Sequence, residues 1–423
     1  MPTRTIRLDH VPRIEGHGNI VVETEDGKVL NCQWQVPEAP RFFEAMLLGR
    51  PWDEVSPIVS RICGICSVSH SLVSLKAIEA AFGVDVSEQT VLLRKLLKHG
   101  ETLQSHILHI GYLALPDLVG TGSALPLEAT HKDALHTVIR LHRLGNDICT
   151  VVGGRTTHPV RVQVGGFSAL PTPGELVRLL VRLEGAMGEI EAVARVLQSV
   201  ADRIPAFERE TEYVALASDE EYAFYDGLIG STDTGRRPVA DYESVANEYI
   251  VPWSTAKWTK HNRDSYMVGA LARANISGDQ LSETAKKTAG ELGFSTPCRN
   301  PFMNSVAQAV ECVQSIEESV KIISRLLERG TTQEESHVGV KAGRGVAAVE
   351  APRGILFHDY TFDETGRCAK ANCVIPTNQN HANIQGDFEA FAPVIVSQPK
   401  ERIEFLLQML VRAYDPCVSC STH

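Results

Sequence analysis

Long apolar runs are missing from this sequence: none approaches the roughly 20 residues that a membrane-spanning helix needs, which excludes a bilayer span. Its opening, MPTRTIRLDH, is polar and charged and does not read as a secretory signal. Basic clusters are missing too. Forty-one Lys and Arg stand against 52 Asp and Glu, a formal net charge of −11. An acidic balance without a basic patch excludes nucleic acid and disfavours an anionic membrane as partner. There is no internal repeat and no low-complexity linker, and a charged fraction of 22% without long polar tracts argues against disorder. No Gly-rich dinucleotide fingerprint follows a strand; Gly343-Arg344-Gly345 is too short to count. What remains is a globular chain of 423 residues, enough for two or three domains or one large core.

Cysteine is what the chain does have. There are ten, and in a large chain without a secretory signal they are expected to be reduced, metal-bound or buried rather than disulfide-bonded. Cys32, Cys149, Cys298, Cys312, Cys368 and Cys373 are scattered and fit buried small hydrophobes. The other four form two C-x-x-C pairs at opposite ends: Cys63 with Cys66, and Cys417 with Cys420. Two intervening residues let both sulfurs of a pair face one ion, so the pairs together supply four thiolates.

Three chemistries suit that set. Structural zinc is the default for four cysteines, yet zinc modules space their pairs by tens of residues. A redox dithiol explains one pair, but not two that each carry a His shortly downstream, His70 and His423. A catalytic soft-metal centre uses thiolates as ligands and histidines as hydrogen-bonding neighbours or as ligands to another metal. Spacing alone leaves zinc and catalytic metal open.

Periodicity predicts a mainly α (α+β) fold, a core of long helices with smaller β-containing regions. Alternation around Asp26-Gly27 signals strand-turn-strand over 20–32. Apolar stripes at three- and four-residue steps predict helices from Cys66 to Gly83, over 87–115 with Pro116 as the stop, over 130–150, after Pro171-Thr172-Pro173-Gly174, over 303–329, and over 401–414. Residues 205–265 read as a β-containing insertion with Ser218–Glu221 as a solvated charged face, and 331–390 as short strands and loops. One integrated unit over 1–423 is expected: a β-containing region at 1–60, a helical core at 61–200, an insertion with β elements at 201–300, and helix, loop/β region and metal-binding tail at 301–423.

The wording of the two cysteine motifs, R-x-C-G-x-C-x-x-x-H from Arg61 and D-P-C-x-x-C-x-x-H from Asp415, resembles the large subunit of nickel–iron hydrogenases. Arg13-Ile14-Glu15-Gly16-His17, Glu44 within Arg-Phe-Phe-Glu-Ala, Gly154–Pro159, Tyr266–Arg273 and Glu350-Ala351-Pro352-Arg353-Gly354 match that family's markers in order, so the likeness covers essentially the whole chain. It implies the hydrogenase fold and reversible heterolytic oxidation of dihydrogen to protons and electrons. Cys63 and Cys417 would be terminal nickel ligands. Cys66 and Cys420 would bridge nickel to an iron that carries carbon monoxide and cyanide. Glu15 would relay protons, although the residue alone reads rather as a partner of Arg13 or of a neighbouring helix end. Arg353 and Thr377 would donate to the diatomic ligands, with Asp415 pairing the arginine and His70 donating to a bridging sulfur. Glu44, His423 and the main-chain carbonyl of Cys373 would hold magnesium or iron at a second site. Many relatives carry Asp where this chain has Ser105, so one charged neighbour of Arg353 is missing.

No further four-cysteine set remains for an iron–sulfur cluster, so electrons must leave through an obligate iron–sulfur small subunit, with further subunits linking to a soluble carrier. Chain brevity and Arg41–Met46 resemble the cytoplasmic, soluble-cofactor-linked branch. His423, the last residue, matches the family's mature C-terminus after tail removal. Two other readings differ in kind: a hydrogen-sensing regulatory hydrogenase with slow turnover, and a structural zinc-binding or respiratory-complex scaffold.

Overall fold

The computed structural model describes residues 4–423. At the N-terminal end, strands Arg4–Leu8, Asn19–Glu25 and Lys28–Gln35 form an antiparallel sheet in sequence order. Its second turn is the expected Asp26-Gly27, both in the left-handed region at φ 50° and 77°, a conformation that suits a tight hairpin.

The helical stripes resolve into long helices: Ser67–Phe82, Glu88–Leu108, Lys132–Gly153, Pro173–Ser199 and Asn304–Arg329. Several ends have a local cause. Gly83 closes the first at φ 69°. Thr172 and Glu175 cap the fourth with a reciprocal capping box. Glu88–Leu108 lies at the centre, packed against Lys132–Gly153 and Asn304–Arg329, and the last also packs on Pro173–Ser199.

Two expectations are corrected. Pro116 does not end the helix begun at residue 88. The chain passes through a π-helical turn, His109–Ala114, and continues as Leu115–Val119 to Gly120. Pro116 lies in the first turn of that last segment, where no N–H is needed. Residues 331–390 are also more regular than short strands and loops: they hold an antiparallel sheet of Gly343–Ala351, Gly354–Phe362 and Cys368–Val374 and a 20-residue helix, Pro376–Ile395. The Asn residues that argue against a helix there, and Gln379 beside them, donate to tertiary partners. Asn378 Nδ2 donates to the carbonyls of Lys257 and Ser421 at 2.8 Å, and Gln379 Nε2 to that of Ile355 at 2.6 Å.

Gly343-Arg344-Gly345 now has a physical role. The strand Gly343–Ala351 runs against the Ser67–Phe82 helix so closely that a Cβ on Gly345 would lie 1.9 Å from the Ala77 carbonyl oxygen, and one on Gly343 2.3 Å from that of Ala81. The insertion is β-containing as expected, with a sheet in the order Tyr266–Met267, Glu212–Ala217, Leu228–Ser231, Gly235–Arg237. Asp219 and Glu220 are solvated, while Glu221 pairs with Lys95 at 2.6 Å. The final helix, Lys400–Ala413, delivers the C-terminal segment into the interior. Among the described residues, no helix is long and apolar enough to cross a membrane.

Candidate metal centre

Both cysteine pairs lie where chain enters a helix. Cys66 directly precedes Ser67–Phe82, and Cys417 precedes the short helix Val418–Ser421. A bend over Gly64–Cys66 turns the Cys66 N–H back to the Cys63 sulfur, which accepts it at 3.2 Å. Asp415, at φ 51°, makes the sharp turn that redirects the chain from the final helix toward Cys417; aspartate is among the few residues that visit this region readily. The two ends are joined by main chain: Val418 N–H donates to the Glu15 carbonyl at 2.9 Å, within a parallel bridge of Glu15 and Cys417.

All four sulfurs are buried. Cys63, Cys417 and Cys420 place their sulfurs within 4.8 Å of one another, and Cys66 and Cys420 share a second such group with His70. Hydrogen bonds from Cys417, Cys420 and Cys66 hold the Cys63 thiol well below its ordinary value. Burial pushes Cys420 well above, as does its donation to the other sulfurs. Cys66 and Cys417 receive help from Cys420, yet both are raised by donating to Cys63 and by burial. Four sulfurs so close and so dry can all be thiolates only with cations among them, which is the property of a metal-ligand set.

Glu15 stands beside this cluster. Its Oε2 is 3.1 Å from the Cys417 sulfur and accepts the Ser419 N–H at 3.1 Å. It does not pair with Arg13, whose guanidinium instead bonds the Leu113 carbonyl at 2.6 Å and Asp117. Thr377 Oγ1, at the start of Pro376–Ile395, accepts the Cys417 N–H at 3.1 Å.

Arg353 is 4% exposed, so its ion pair is an interior one. It occupies the two-residue turn of a hairpin in which Ala351 pairs with Gly354. Gly354 is required there: φ is 136° and a Cβ would come 2.4 Å from Val268 Cγ2. Arg353 Nε donates to the Asp415 carbonyl at 2.6 Å and Nη2 to its carboxylate at 2.8 Å. Ser105 Oγ faces Nη1 at 3.4 Å, at the position where the resemblance expects an acid. Burial alone would lower the Arg353 pKa, but Asp415 and the sulfurs of Cys417, Cys63 and Cys66 hold it above its ordinary value.

His70 Nε2 lies 3.4 Å from the Cys420 sulfur. Glu44, in the short helix Phe43–Leu47, accepts the Cys373 N–H at 2.9 Å and lies 3.4 Å from His423 Nε2. That nitrogen is buried and makes no directed hydrogen bond. Burial would raise the Glu44 carboxyl, but His423, Lys257 and the Cys373 N–H draw it down to about 2. The peptide of Cys373 therefore meets Glu44 through its N–H.

Sequence reasoning missed the machinery behind Arg353. Arg273 is 1% exposed and uses all its donor directions. It bonds both oxygens of Glu311 at 2.6 Å, Glu350 at 2.7 Å, and the carbonyls of Ala351 and Pro352 at 3.1 and 3.0 Å. It thus clamps the hairpin that presents Arg353. Glu311 also meets His106 at 2.7 Å, next to Ser105, and Tyr222 at 2.7 Å. The signal was an arginine and a glutamate inside otherwise apolar motifs, Tyr266–Arg273 and Glu350–Gly354. Lys257, 3.2 Å from Glu44, was likewise unforeseen.

A family model described as nickel-dependent hydrogenase matches residues 41–143 and 207–423, and one described as HoxL-like matches residues 5–39. The chain is similar to Sulfhydrogenase 1 subunit alpha of Pyrococcus furiosus, 32% identical over 418 residues that cover 99% of this chain and 97% of that one. Among solved structures it resembles an NAD+-reducing nickel–iron hydrogenase in the H2-reduced state, with TM-score 0.89, 27% identity and 99% of each chain covered. It also shares the fold of the nickel–iron–selenium hydrogenase of D. vulgaris Hildenborough, at TM-score 0.78, 24% identity and complete coverage of both chains. The matched family uses nickel, where the cysteine spacing alone left zinc open.

Proposed function

Given that this chain belongs to the nickel-dependent hydrogenase family, as the catalytic large subunit of a nickel–iron hydrogenase, we propose that Cys63 and Cys417 are terminal nickel ligands. Cys66 and Cys420 would hold iron together with the nickel, the iron carrying carbon monoxide and cyanide. The observation that carries this assignment is the convergence of four buried sulfurs from the two ends of the chain, with a carboxyl group hydrogen-bonded to one of them.

When bound, the metals supply a soft Lewis-acidic site that makes dihydrogen acidic enough to yield a proton to a neighbouring base. The rest is the work of the protein. Glu15 Oε2 exchanges a proton with the Cys417 sulfur across 3.1 Å and passes it outward. Arg353, locked by Asp415, would offer planar donors to cyanide on the iron, and Thr377 would offer its hydroxyl proton alongside. His70 donates to Cys420. Each dihydrogen yields two protons, which leave through the protein, and two electrons.

The electrons pass to an iron–sulfur small subunit. The relatives' names describe alpha subunits, which supports such a partner. Docking is on the face of the N-terminal cysteine motif, where Trp52, Ser60, Arg61, His158, Pro159 and Val160 line a cleft of about 450 Å³. Further subunits link to a soluble carrier, and the assembly works in the cytoplasm; the likeness to an NAD+-reducing enzyme supports this. Glu44, His423 and the Cys373 carbonyl hold magnesium or iron, a reading supported by the unbonded His423 Nε2 facing a carboxylate. The chain works as one unit, because its site draws on both ends.

Infrared spectroscopy and elemental analysis of the purified complex test the assignment. Cyanide and carbonyl bands with one nickel per chain are expected. Zinc at full occupancy without those bands overturns it.

A further inference from the structure

Behind His70 lies a row of buried polar groups that the reaction as described does not use. His70 Nδ1 is 3.2 Å from His358 Nε2. The other nitrogen of His358, Nδ1, is hydrogen-bonded to the Tyr360 hydroxyl, which lies 3.3 Å from Ser74 Oγ. His70, His358 and Tyr360 are completely buried. No carboxylate hydrogen-bonds either ring among the described residues. Each ring is then a neutral imidazole, with one donor nitrogen and one acceptor.

That constraint, with the ligand assignment proposed above, settles every proton in the row. A Cys420 thiolate bound to metal has no proton and can only accept, so His70 carries its proton on Nε2. His70 Nδ1 must then accept, which puts the His358 proton on Nε2. His358 Nδ1 must accept in turn, and the donor is the Tyr360 phenol. The Tyr360 hydroxyl is also within donating distance of Ser74 Oγ at 3.3 Å, but Ser74 can donate to the phenol oxygen instead, which leaves the phenol proton for the closer His358 nitrogen.

We propose that His358 and Tyr360 are positioning residues whose one-way row of donors holds His70 as the Nε2–H tautomer, pinning a permanent hydrogen bond on the Cys420 sulfur. The consequence is an asymmetry between two sulfurs of the same pair. Cys420 faces a fixed donor at 3.4 Å, which draws charge from its lone pair and makes it a poor proton acceptor. Cys417 faces Glu15 at 3.1 Å, a group that both donates and accepts. Protons are thereby steered to the Cys417–Glu15 side. Tyr360 and His358 lie on the strand Gly354–Phe362, whose hairpin also presents Arg353, so one strand sets donors on two sides of the centre.

This rests on Cys420 being a metal ligand, and the test separates the two claims. Neutron diffraction from the deuterated holoenzyme is expected to place deuterium on Nε2 of both rings and on the Tyr360 oxygen toward His358. Deuterium on Nδ1 of His70 overturns the proposal. In Tyr360→Phe holoenzyme, nickel and iron contents are expected to stay at wild-type levels. The cyanide and carbonyl bands are expected to move to lower wavenumber, because a Cys420 sulfur with a weaker donor pushes more charge onto iron. Full metal content with unmoved bands removes the role of Tyr360 and leaves the ligand assignment standing. Wild-type protein without nickel, iron or those bands removes both.

Discussion

The sulfurs of Cys63 and Cys417 lie 3.5 Å apart although 354 residues separate them in sequence. No local element brings them together. The first sits in a turn ahead of the Ser67–Phe82 helix, and the second reaches it only because the final helix and the Asp415 turn carry the chain end inward. The metal centre is therefore also a clasp between the two ends of the chain.

Glu15 is the most direct target. Glu15→Gln keeps the shape and one hydrogen bond to the Ser419 N–H but cannot release a proton. Nickel and iron contents are expected to be unchanged, while hydrogen–deuterium exchange falls by about 100-fold or more, as for loss of a positioned acid–base group. Full exchange in that variant would take Glu15 out of the relay.

Arg273 tests the clamp behind Arg353. Arg273→Met leaves Glu311 and Glu350 in the interior without their cation. Breaking a buried ion pair from one side typically costs about 3–5 kcal/mol, to be read as a fall in the denaturant midpoint of the whole complex. A change within about 0.5 kcal/mol, the scale of a neutral surface substitution, would show that the clamp contributes nothing to stability.

Acid should weaken that clamp in a defined window. Burial would raise the Glu311 carboxyl, but Arg273 and His106 pull it down from 4.5 to about 2. A group whose folded pKa is depressed contributes stability that is complete above its unfolded pKa and is lost as pH falls toward the folded one. The stability difference between wild type and Glu311→Gln is thus expected to be constant above about pH 5 and to shrink between pH 4.5 and 2. A difference that grows in that interval contradicts the ion pair.

Two glycines separate packing from propensity. Gly345→Ala drives a methyl into the Ala77 carbonyl and should cost at least the about 1–3 kcal/mol of core overpacking. Gly185 lies inside the Pro173–Ser199 helix with nothing within 4 Å of its would-be Cβ. Gly185→Ala is expected to stabilise by about 0.5–1 kcal/mol through helix propensity. Thermal unfolding of the two variants side by side reads both signs.

Much of this protein is decided residue by residue along the chain. Apolar periodicity and terminating glycines mark the long helices, because an amphipathic stripe and a left-handed cap are local properties of sequence. The four clustered cysteines, Glu15, Arg353 and Glu44 are legible from ordered motifs, because metal chemistry restricts which side chains can serve and at what spacing. Other features have no local signature. The Pro376–Ile395 helix is built on asparagines whose partners lie far away in sequence, so propensity points the wrong way. Pro116 marks a helix start only because a π-helical turn precedes it. Arg273 with Glu311, and Tyr360 with His358, are ordinary residues until burial removes water and leaves each group only one partner to satisfy it. The sequence by itself singled out the four cysteines that could hold a metal. Only the tertiary structure decided which sulfur faces a carboxyl group and which faces a fixed donor, because the directions of buried hydrogen bonds are set by everything packed around them.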